Sequence, residues 1–216
     1  MFSVAARDII ETDIIGVFTA DGEVYGPWKD WEPSQISHHG RSCCELIREW
    51  VGNTDYSALN GGRPLSGPRW IRERFEWGPG KYPVYWCEVL KKPRLDCGVH
   101  AALAHEVFLR RGVRAYRAQF AQEFSGEATA HWRSGCENDG SVTGWIGDYV
   151  IYHEGCAVIA NEGHIKLWDS SAGWWLDPRT CCGYGSVRAV RIASTRHERF
   201  RWERHTLNSN TWTELE

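Results

Sequence analysis

Three residues of this sequence have the types and the placement of a thiol nucleophile with its partners: Cys97, His153 and Asp169. Cys97 lies at the amino end of a predicted helix over 96–111, where unpaired backbone N–H groups and the helix dipole favour the negative charge of a thiolate. Gly98 follows, and its lack of a Cβ leaves room for a substrate carbonyl. This placement predicts a nucleophilic cysteine, with a buried structural cysteine as the alternative.

His153 and Asp169 are the predicted base and its orienting carboxylate. His153 stands at the mouth of a predicted strand, and the chain returns through residues 161–163 into a strand that ends at Asp169. A three-residue turn with glycine in the left-handed conformation sets Ala160 opposite His164. Because side chains alternate along a strand, this register puts His153 and Asp169 on one face, whereas a two-residue turn would put them on opposite faces.

The elements that must position these residues fall into two groups along the chain. Helices are predicted first and short strands later, without the alternation that builds a parallel sheet, so we expect an α+β domain with an antiparallel sheet. No repeat or linker divides the chain, and residues 1–216 are expected to form a single domain. The predicted elements are a hairpin over 14–25, helices over 42–51, 68–77 and 96–111, and strands over 113–120, 145–152, 156–160, 164–168 and 187–193.

Composition narrows the class of protein. The formal net charge of −3 gives no electrostatic footprint for nucleic acid, and charges interrupt the apolar residues near the start before a membrane span or signal-peptide core is completed. We therefore expect a cytoplasmic protein with no nucleic-acid or membrane partner. The 13 tryptophans suit a core or a ligand groove, with packing favoured for most of them.

The eight cysteines favour neither a disulfide scaffold nor a metal site. Their density is low for a disulfide-rich protein, and Cys43-Cys44 and Cys181-Cys182 are vicinal pairs, which make poor frameworks. No Cys-x-x-Cys occurs, and Cys97-x-x-His100 is a weak ligand spacing. No metal or other cofactor is predicted.

A family resemblance supports the same three residues. The segment Leu95-Asp96-Cys97-Gly98-Val99-His100-Ala101-Ala102-Leu103, followed by Arg111-Gly112-Val113-Arg114-Ala115, resembles the transglutaminase-like superfamily over about residues 40–180. The resemblance implies a papain-like α+β fold, with the catalytic cysteine at a helix amino terminus packed on an antiparallel sheet. By position it implies Cys97, His153 and Asp169. The N-terminal hairpin and an arginine-rich C-terminal strand and tail are expected as this chain's additions to the family core.

The sequence departs from the family pattern on both sides of the predicted base. Glu154-Gly155 follows His153 where the family often has Ala-Trp, and Ser170-Ser171 follows Asp169 in place of Pro-Thr. Asp177, in a Trp-x-x-Asp-Pro-like segment, is the alternative orienting residue. Glu154 is a candidate for a substrate contact beside His153, although a solvated carboxylate is the simpler interpretation.

The oxyanion donors are less constrained by the sequence. The backbone N–H of Cys97 is the natural first donor because it lies at the helix terminus. The resemblance implies a second donor from an upstream Trp or Gln, for which Trp86 and Trp77 are the candidates. These two tryptophans, with Gly98 and Glu154, make up the expected substrate groove.

The predicted chemistry leaves three functions open. The first is a cysteine-dependent acyltransferase that forms an amide from a thioester or carboxamide donor and an amine acceptor, each a small molecule or a peptide. The second is a thiol hydrolase, such as a peptidase, amidase or glutamine deamidase. The third is a non-catalytic binding domain, which the retention of Cys, His and Asp in order argues against.

An arginine cluster near the end of the chain suggests a further partner. Arginine suits phosphate and carboxylate groups, so an acidic carrier protein bearing a phosphopantetheine thioester is a candidate partner. A strand and tail kept soluble by charge is the alternative explanation. The arginines concerned are Arg188, Arg191, Arg199 and Arg201.

Overall fold

The computed structural model describes residues 34–54, 67–78, 80, 83–123, 125–128, 130, 150–159, 165–176, 186–193, 200–206 and 211–214. The predicted hairpin over 14–25 and the alternative carboxylate Asp177 lie outside these residues. The helices are α1 (Arg41–Asn53), α2 (Trp70–Arg74), α3 (Trp86–Val89) and α4 (Cys97–Arg110). The strands are β1 (Ile36–Ser37), β2 (Glu76–Trp77), β3 (Val84–Tyr85), β4 (Arg94–Leu95), β5 (Ala115–Glu123), β6 (Val150–Ile159), β7 (Ile165–Asp169), β8 (Trp174–Leu176), β9 (Ser186–Ala193), β10 (Phe200–Thr206) and β11 (Thr211–Glu214).

Seven strands form one antiparallel sheet in the order β11-β10-β9-β5-β6-β7-β8. Helices α1 to α4 precede this sheet in the chain, and two short parallel pairs, β1 with β3 and β2 with β4, accompany them. The predicted α+β class with an antiparallel sheet is therefore confirmed.

Helix α4 is the central helix of the core. The four apolar residues that predict it, Val99, Ala102, Leu103 and Val107, are all buried. They share one hydrophobic cluster with Cys156 and Val158 of β6 and Trp168 of β7. Trp70 and Trp86 are buried in the same cluster, so packing in the core accounts for these tryptophans.

Both ends of α4 have a local cause in the sequence. The Asp96 carboxylate accepts a hydrogen bond from the Val99 N–H at 2.8 Å, which satisfies one of the free donors of the first turn. At the other end Gly112 has φ +69°, a conformation that glycine adopts without strain, and the Val113 N–H bonds the Phe108 carbonyl at 2.8 Å. Cys97 is thereby fixed as the first residue of the helix.

Helix α1 packs against α4 through a buried carboxylate. Glu106 accepts hydrogen bonds from the Nε atoms of Arg48 and Arg110, each at 2.8 Å. Gly52 lies against the Arg110 side chain, where an added Cβ would come within 2.1 Å of Cγ. A side chain at position 52 would therefore push the two helices apart.

Three predicted elements, one helix and two strands, differ from the observed ones. The helix expected over 68–77 covers only Trp70–Arg74, because the chain turns extended at Phe75 and Glu76–Trp77 pair with Arg94–Leu95. The strands expected over 145–152 and 156–160 are one strand, β6. Pairing with β5 runs from Ala115↔Val158 to Glu123↔Val150, so His153 lies inside β6 and not at its mouth.

The arginine cluster is described only in part. Arg188 and Arg191 lie in β9 and Arg201 lies in β10, while Arg199 is outside the described residues. The backbone register sets Arg201 opposite Ile192. Among the helices of the described ranges, none has the length and apolar character needed to cross a lipid bilayer.

Candidate active site

The register of β6 and β7 agrees with the one the sequence predicts. The recorded pairs run from Ile159↔Ile165 to Cys156↔Trp168, and all four continue the predicted pairing of Ala160 with His164. The turn itself, residues 160–164, lies outside the described ranges. This register brings His153 and Asp169 to one side of the hairpin as diagonal neighbours.

His153 and Asp169 are joined by a hydrogen bond. The imidazole Nε2 donates to Asp169 Oδ1 at 2.9 Å. The Asp169 side chain is fully buried, whereas the His153 side chain is 14% exposed, so the ring reaches the surface from a sheltered carboxylate. Asp169 Oδ1 also accepts from the backbone N–H groups of Ser171 at 2.9 Å and Ala172 at 3.0 Å, which holds the carboxylate in place.

Cys97 meets the same imidazole. The thiol of Cys97, at the first position of α4, is hydrogen-bonded to the His153 side chain. Since Nε2 is engaged by Asp169, Nδ1 is the ring nitrogen left for the thiol. Cys97 is partly exposed. The three residues predicted from the sequence therefore lie in one connected group in the structure.

The charged forms of His153 and Asp169 stabilise each other. Burial alone would lower the pKa of His153, but the Asp169 carboxylate and Cys97 outweigh it and raise that pKa well above its usual range. Burial likewise would raise the pKa of Asp169, but the imidazole and the two backbone N–H groups lower it. An imidazolium next to an ionised carboxylate is the favoured state of the pair.

The direction of each shift fixes the pH range in which the pair stabilises the fold. The raised His153 pKa contributes stability that is complete below the unfolded value of about 6.5 and is lost as pH rises through the folded pKa. The lowered Asp169 pKa contributes stability that is complete above the unfolded value of about 4 and is lost as pH falls through the folded pKa. Both contributions are complete only between about pH 4 and pH 6.5.

Replacing Asp169 with asparagine should lower the pKa of His153, because burial still opposes the imidazolium and the carboxylate charge is gone. The measurement is an NMR titration of the His153 Cε1–H resonance in the two proteins. Glu88→Gln is the matched control, since that carboxylate contacts His39 instead. An unchanged midpoint in Asp169→Asn would contradict the assigned pairing.

Phe120 and Gly155 pack together next to His153 in the sheet. The Phe120 ring is fully buried directly opposite His153 in the β5–β6 register, with ring centroids 6.3 Å apart. A Cβ at Gly155 would lie 2.6 Å from this ring and 2.5 Å from the Trp168 carbonyl oxygen. Gly155 is thus required by the packing beside His153.

A buried arginine links the nucleophile's helix to the strand of the base. Arg117 Nη2 donates to the Gly98 carbonyl at 2.9 Å and to Glu154 Oε2 at 2.6 Å, and Nη1 donates to the Ser34 carbonyl at 2.8 Å. Ser34 Oγ donates to Glu154 Oε1 at 2.8 Å. One guanidinium therefore fixes the residue after Cys97 to the residue after His153. We call Arg117, Glu154 and Ser34, with the Gly98 carbonyl, the arginine clamp.

Two residues that were predicted to line the substrate groove, Glu154 and Gly98, belong to the arginine clamp. Glu154 was expected at a substrate groove or in solvent, but its side chain is only 12% exposed and is bonded to Arg117 and Ser34. Adjacent residues of a strand point to opposite sides, so Glu154 turns away from the side that carries the His153 ring. Gly98 lies next to Cys97 as predicted, and its carbonyl is part of the clamp.

The two candidate oxyanion tryptophans have different surroundings. Trp86 is buried in the hydrophobic cluster. Trp77 is half-buried in β2, where it pairs with Leu95, two residues before Cys97. The register therefore brings the backbone of Trp77 beside the chain that leads to the nucleophile.

Two other titratable side chains near this group, His100 and Cys156, are uncharged at pH 7. Burial lowers the pKa of His100, one turn after Cys97, to about 4, so this ring is neutral at pH 7. Burial raises the pKa of Cys156 to about 12, and its thiol donates to the Ala101 carbonyl at 3.4 Å. Within the described part of the chain, no three His, Cys, Asp or Glu side chains are grouped so as to hold a metal ion.

The comparisons with known proteins add no relative. No protein-family model, curated protein or solved structure matches this chain.

Proposed function

We propose that the protein is a cysteine-dependent acyltransferase of transglutaminase-like type and fold, which forms an amide through an acyl-enzyme thioester. The observation that supports this proposal most strongly is the connected group of Cys97, His153 and Asp169, with the 2.9 Å hydrogen bond between the last two. A thiol at a helix amino terminus, a histidine beside it and a buried carboxylate behind the histidine are the parts that acyl transfer through sulfur requires.

The first half of the proposed reaction acylates Cys97. The thiolate attacks the carbonyl carbon of the donor, and the C–S bond forms as the carbonyl oxygen takes the negative charge. The His153 imidazolium then gives its proton to the leaving group, a thiol from a thioester donor or ammonia from a carboxamide. The bond to the leaving group breaks and a thioester on Cys97 remains.

The second half transfers the acyl group to an amine. His153, now neutral, accepts a proton from the amine as its nitrogen attacks the thioester carbonyl. The C–S bond breaks, the amide leaves and the thiolate of Cys97 is restored beside the imidazolium. Asp169 keeps the imidazole in the required orientation and stabilises its charged form in both halves.

The backbone N–H of Cys97 is the proposed donor to the oxyanion. It lies at the first position of α4, while the Val99 N–H of the same turn is already bonded to Asp96. Trp77 is preferred to Trp86 for the second contact, because β2 pairs with the strand that precedes Cys97 and Trp86 is buried in the core. A donor at this point stabilises charge that exists only in the transition state.

Hydrolysis by the same three residues is the second candidate function. Cys97 is partly exposed and the His153 side chain is 14% exposed, so water can reach the thioester as well as an amine can. A site that excludes water would protect the acyl-enzyme for transfer, whereas an open one favours hydrolysis.

Mass spectrometry of the intact protein and its products tests this proposal. The protein is incubated with a small thioester or a glutamine-containing peptide, with and without a primary amine. We expect an acyl adduct that maps to the tryptic peptide 95–110, in which Cys97 is the only cysteine, and an amide product when amine is present. Free acid at the same rate with and without amine would identify a hydrolase, and an adduct on any other cysteine would contradict the proposal.

A further inference from the structure

Two segments that are distant in sequence run side by side away from the candidate active site. Strands β1 and β3 pair in parallel, with Ile36 opposite Val84 and Ser37 opposite Tyr85. Helix α1 follows the first strand and α3 follows the second. Because the strands are parallel, the amino-terminal parts of the two helices are brought together.

Contacts between side chains fix this arrangement. The His39 ring stacks on the Tyr85 ring with centroids 3.5 Å apart and planes 10° apart. The Nε2 atom of His39 also bonds Glu88 Oε1 at 3.2 Å. His39, in the turn that leads into α1, thus contacts Tyr85 immediately before α3 and Glu88 within α3.

This arrangement brings two thiols into contact. Cys44 of α1 is fully buried in the hydrophobic cluster, and the half-buried Cys87 of α3 packs against that cluster. Their side chains are hydrogen-bonded to each other, and neither cysteine forms a disulfide. Cys43, the neighbour of Cys44 in the chain, is exposed.

The two thiols have different acidities. Burial would raise the pKa of Cys44, but hydrogen bonds from the backbone of Gly40, His39 and Cys87 and from the Cys87 thiol lower it to about 6. Burial raises the pKa of Cys87, and the charge of Cys44 adds to the increase. Cys44 therefore holds the negative charge of the pair at neutral pH, and Cys87 keeps its proton.

We propose that Cys44 and Cys87 form a redox-active thiol pair, which a peroxide closes to a disulfide between α1 and α3. A hydroperoxide oxidises the Cys44 thiolate to a sulfenic acid and is itself reduced, releasing water, after taking a proton, when it is hydrogen peroxide. The Cys87 thiol then attacks the Cys44 sulfur, and its proton leaves with the sulfenic oxygen as a second water. A small thiol reverses the change by thiol–disulfide exchange.

This site is independent of the acyl chemistry proposed for Cys97. It also has a structural consequence, because the disulfide would tie α1 directly to the residue after Trp86. The pair would thereby lock the short helix that precedes the candidate nucleophile. The thiol pair is tested in a Cys97→Ser protein, which cannot form the acyl-enzyme. The two proposals can therefore fail separately.

Peptide mapping of the full-length Cys97→Ser protein tests the thiol pair. The protein is treated with one equivalent of hydrogen peroxide, the remaining thiols are blocked, and a tryptic digest is analysed without reduction. We expect a disulfide between peptides 42–48 and 82–91, with loss of one thiol from each and recovery of both after reduction. Absence of this linkage would overturn the proposal.

Peptide 42–48 contains both Cys43 and Cys44, so a matched pair of variants assigns the partner. The linkage should persist in Cys43→Ser, which changes an exposed residue, and disappear in Cys87→Ser. Persistence in Cys43→Ser is decisive by itself and does not depend on the folding of a variant at the buried Cys44. Loss of the linkage in Cys43→Ser would make the exposed neighbour the partner and overturn the assignment.

Discussion

Replacing His153 with alanine should slow the acylation of Cys97 by about 10²–10⁴-fold, the usual contribution of a positioned acid and base. The variant removes the group that holds the proton beside the thiol, and it leaves the buried Asp169 carboxylate without its charged partner. Substrate binding needs neither function, so kcat should fall while KM changes little. Single-turnover formation of the thioester gives the rate directly.

The exposed His38 provides the control for this prediction. His38→Ala removes an imidazole of the same type from the surface and should leave the acylation rate within about twofold of the original. If His153→Ala and His38→Ala had equal rates, His153 would have no part in proton transfer.

Replacing Arg117 with methionine should lower the free energy of unfolding by about 3–5 kcal/mol, the cost of breaking a buried ion pair from one side. The Arg117 and Glu154 side chains are 7% and 12% exposed, so the carboxylate that remains has Ser34 but little solvent to compensate its charge. Urea unfolding at neutral pH measures the loss. The exposed pair of Arg94 and Glu76 is the matched control, and Arg94→Met should cost about 0–1 kcal/mol.

A double variant separates stability from positioning. Arg117→Met with Glu154→Leu removes both charges and should recover a large part of the lost stability. The Gly98 carbonyl still lacks its donor, so α4 loses the contact that fixes its first turn to β5 and β6. Acylation of Cys97 should therefore remain slower by about 10–100-fold. Full recovery of the rate together with stability would show that the arginine clamp acts only on folding.

The sequence predicts those parts of the site that depend on local rules. The limits of α4 follow from Asp96, the apolar spacing and Gly112, so Cys97 could be placed at the helix start without knowledge of the fold. The pairing of β6 with β7 is the one predicted for a three-residue turn, and this register brings His153 to Asp169. Each inference spans only a few residues or one hairpin.

The parts that were missed depend on contacts between distant segments. Arg117 bonds Glu154 across 37 residues and Ser34 across 83, and no local pattern predicts either partner. An arginine inside the predicted strand over 113–120 was the available signal, because a charge that a sheet buries requires a partner. Strand β8 was not predicted, and Trp77 was assigned to a helix, because pairing with other strands determined the conformation of both segments.

The pH dependence of Cys97 alkylation tests the central claim most directly, because it reports the thiolate and the imidazolium together. Iodoacetamide modification is followed by peptide mapping from about pH 5 to pH 9, with the exposed Cys43 as the internal reference. If Cys97 and His153 form a charged pair, Cys97 should react at least about tenfold faster than Cys43 near pH 6, and His153→Ala should abolish the difference. Equal rates for Cys97 and Cys43 across the whole range would contradict the account.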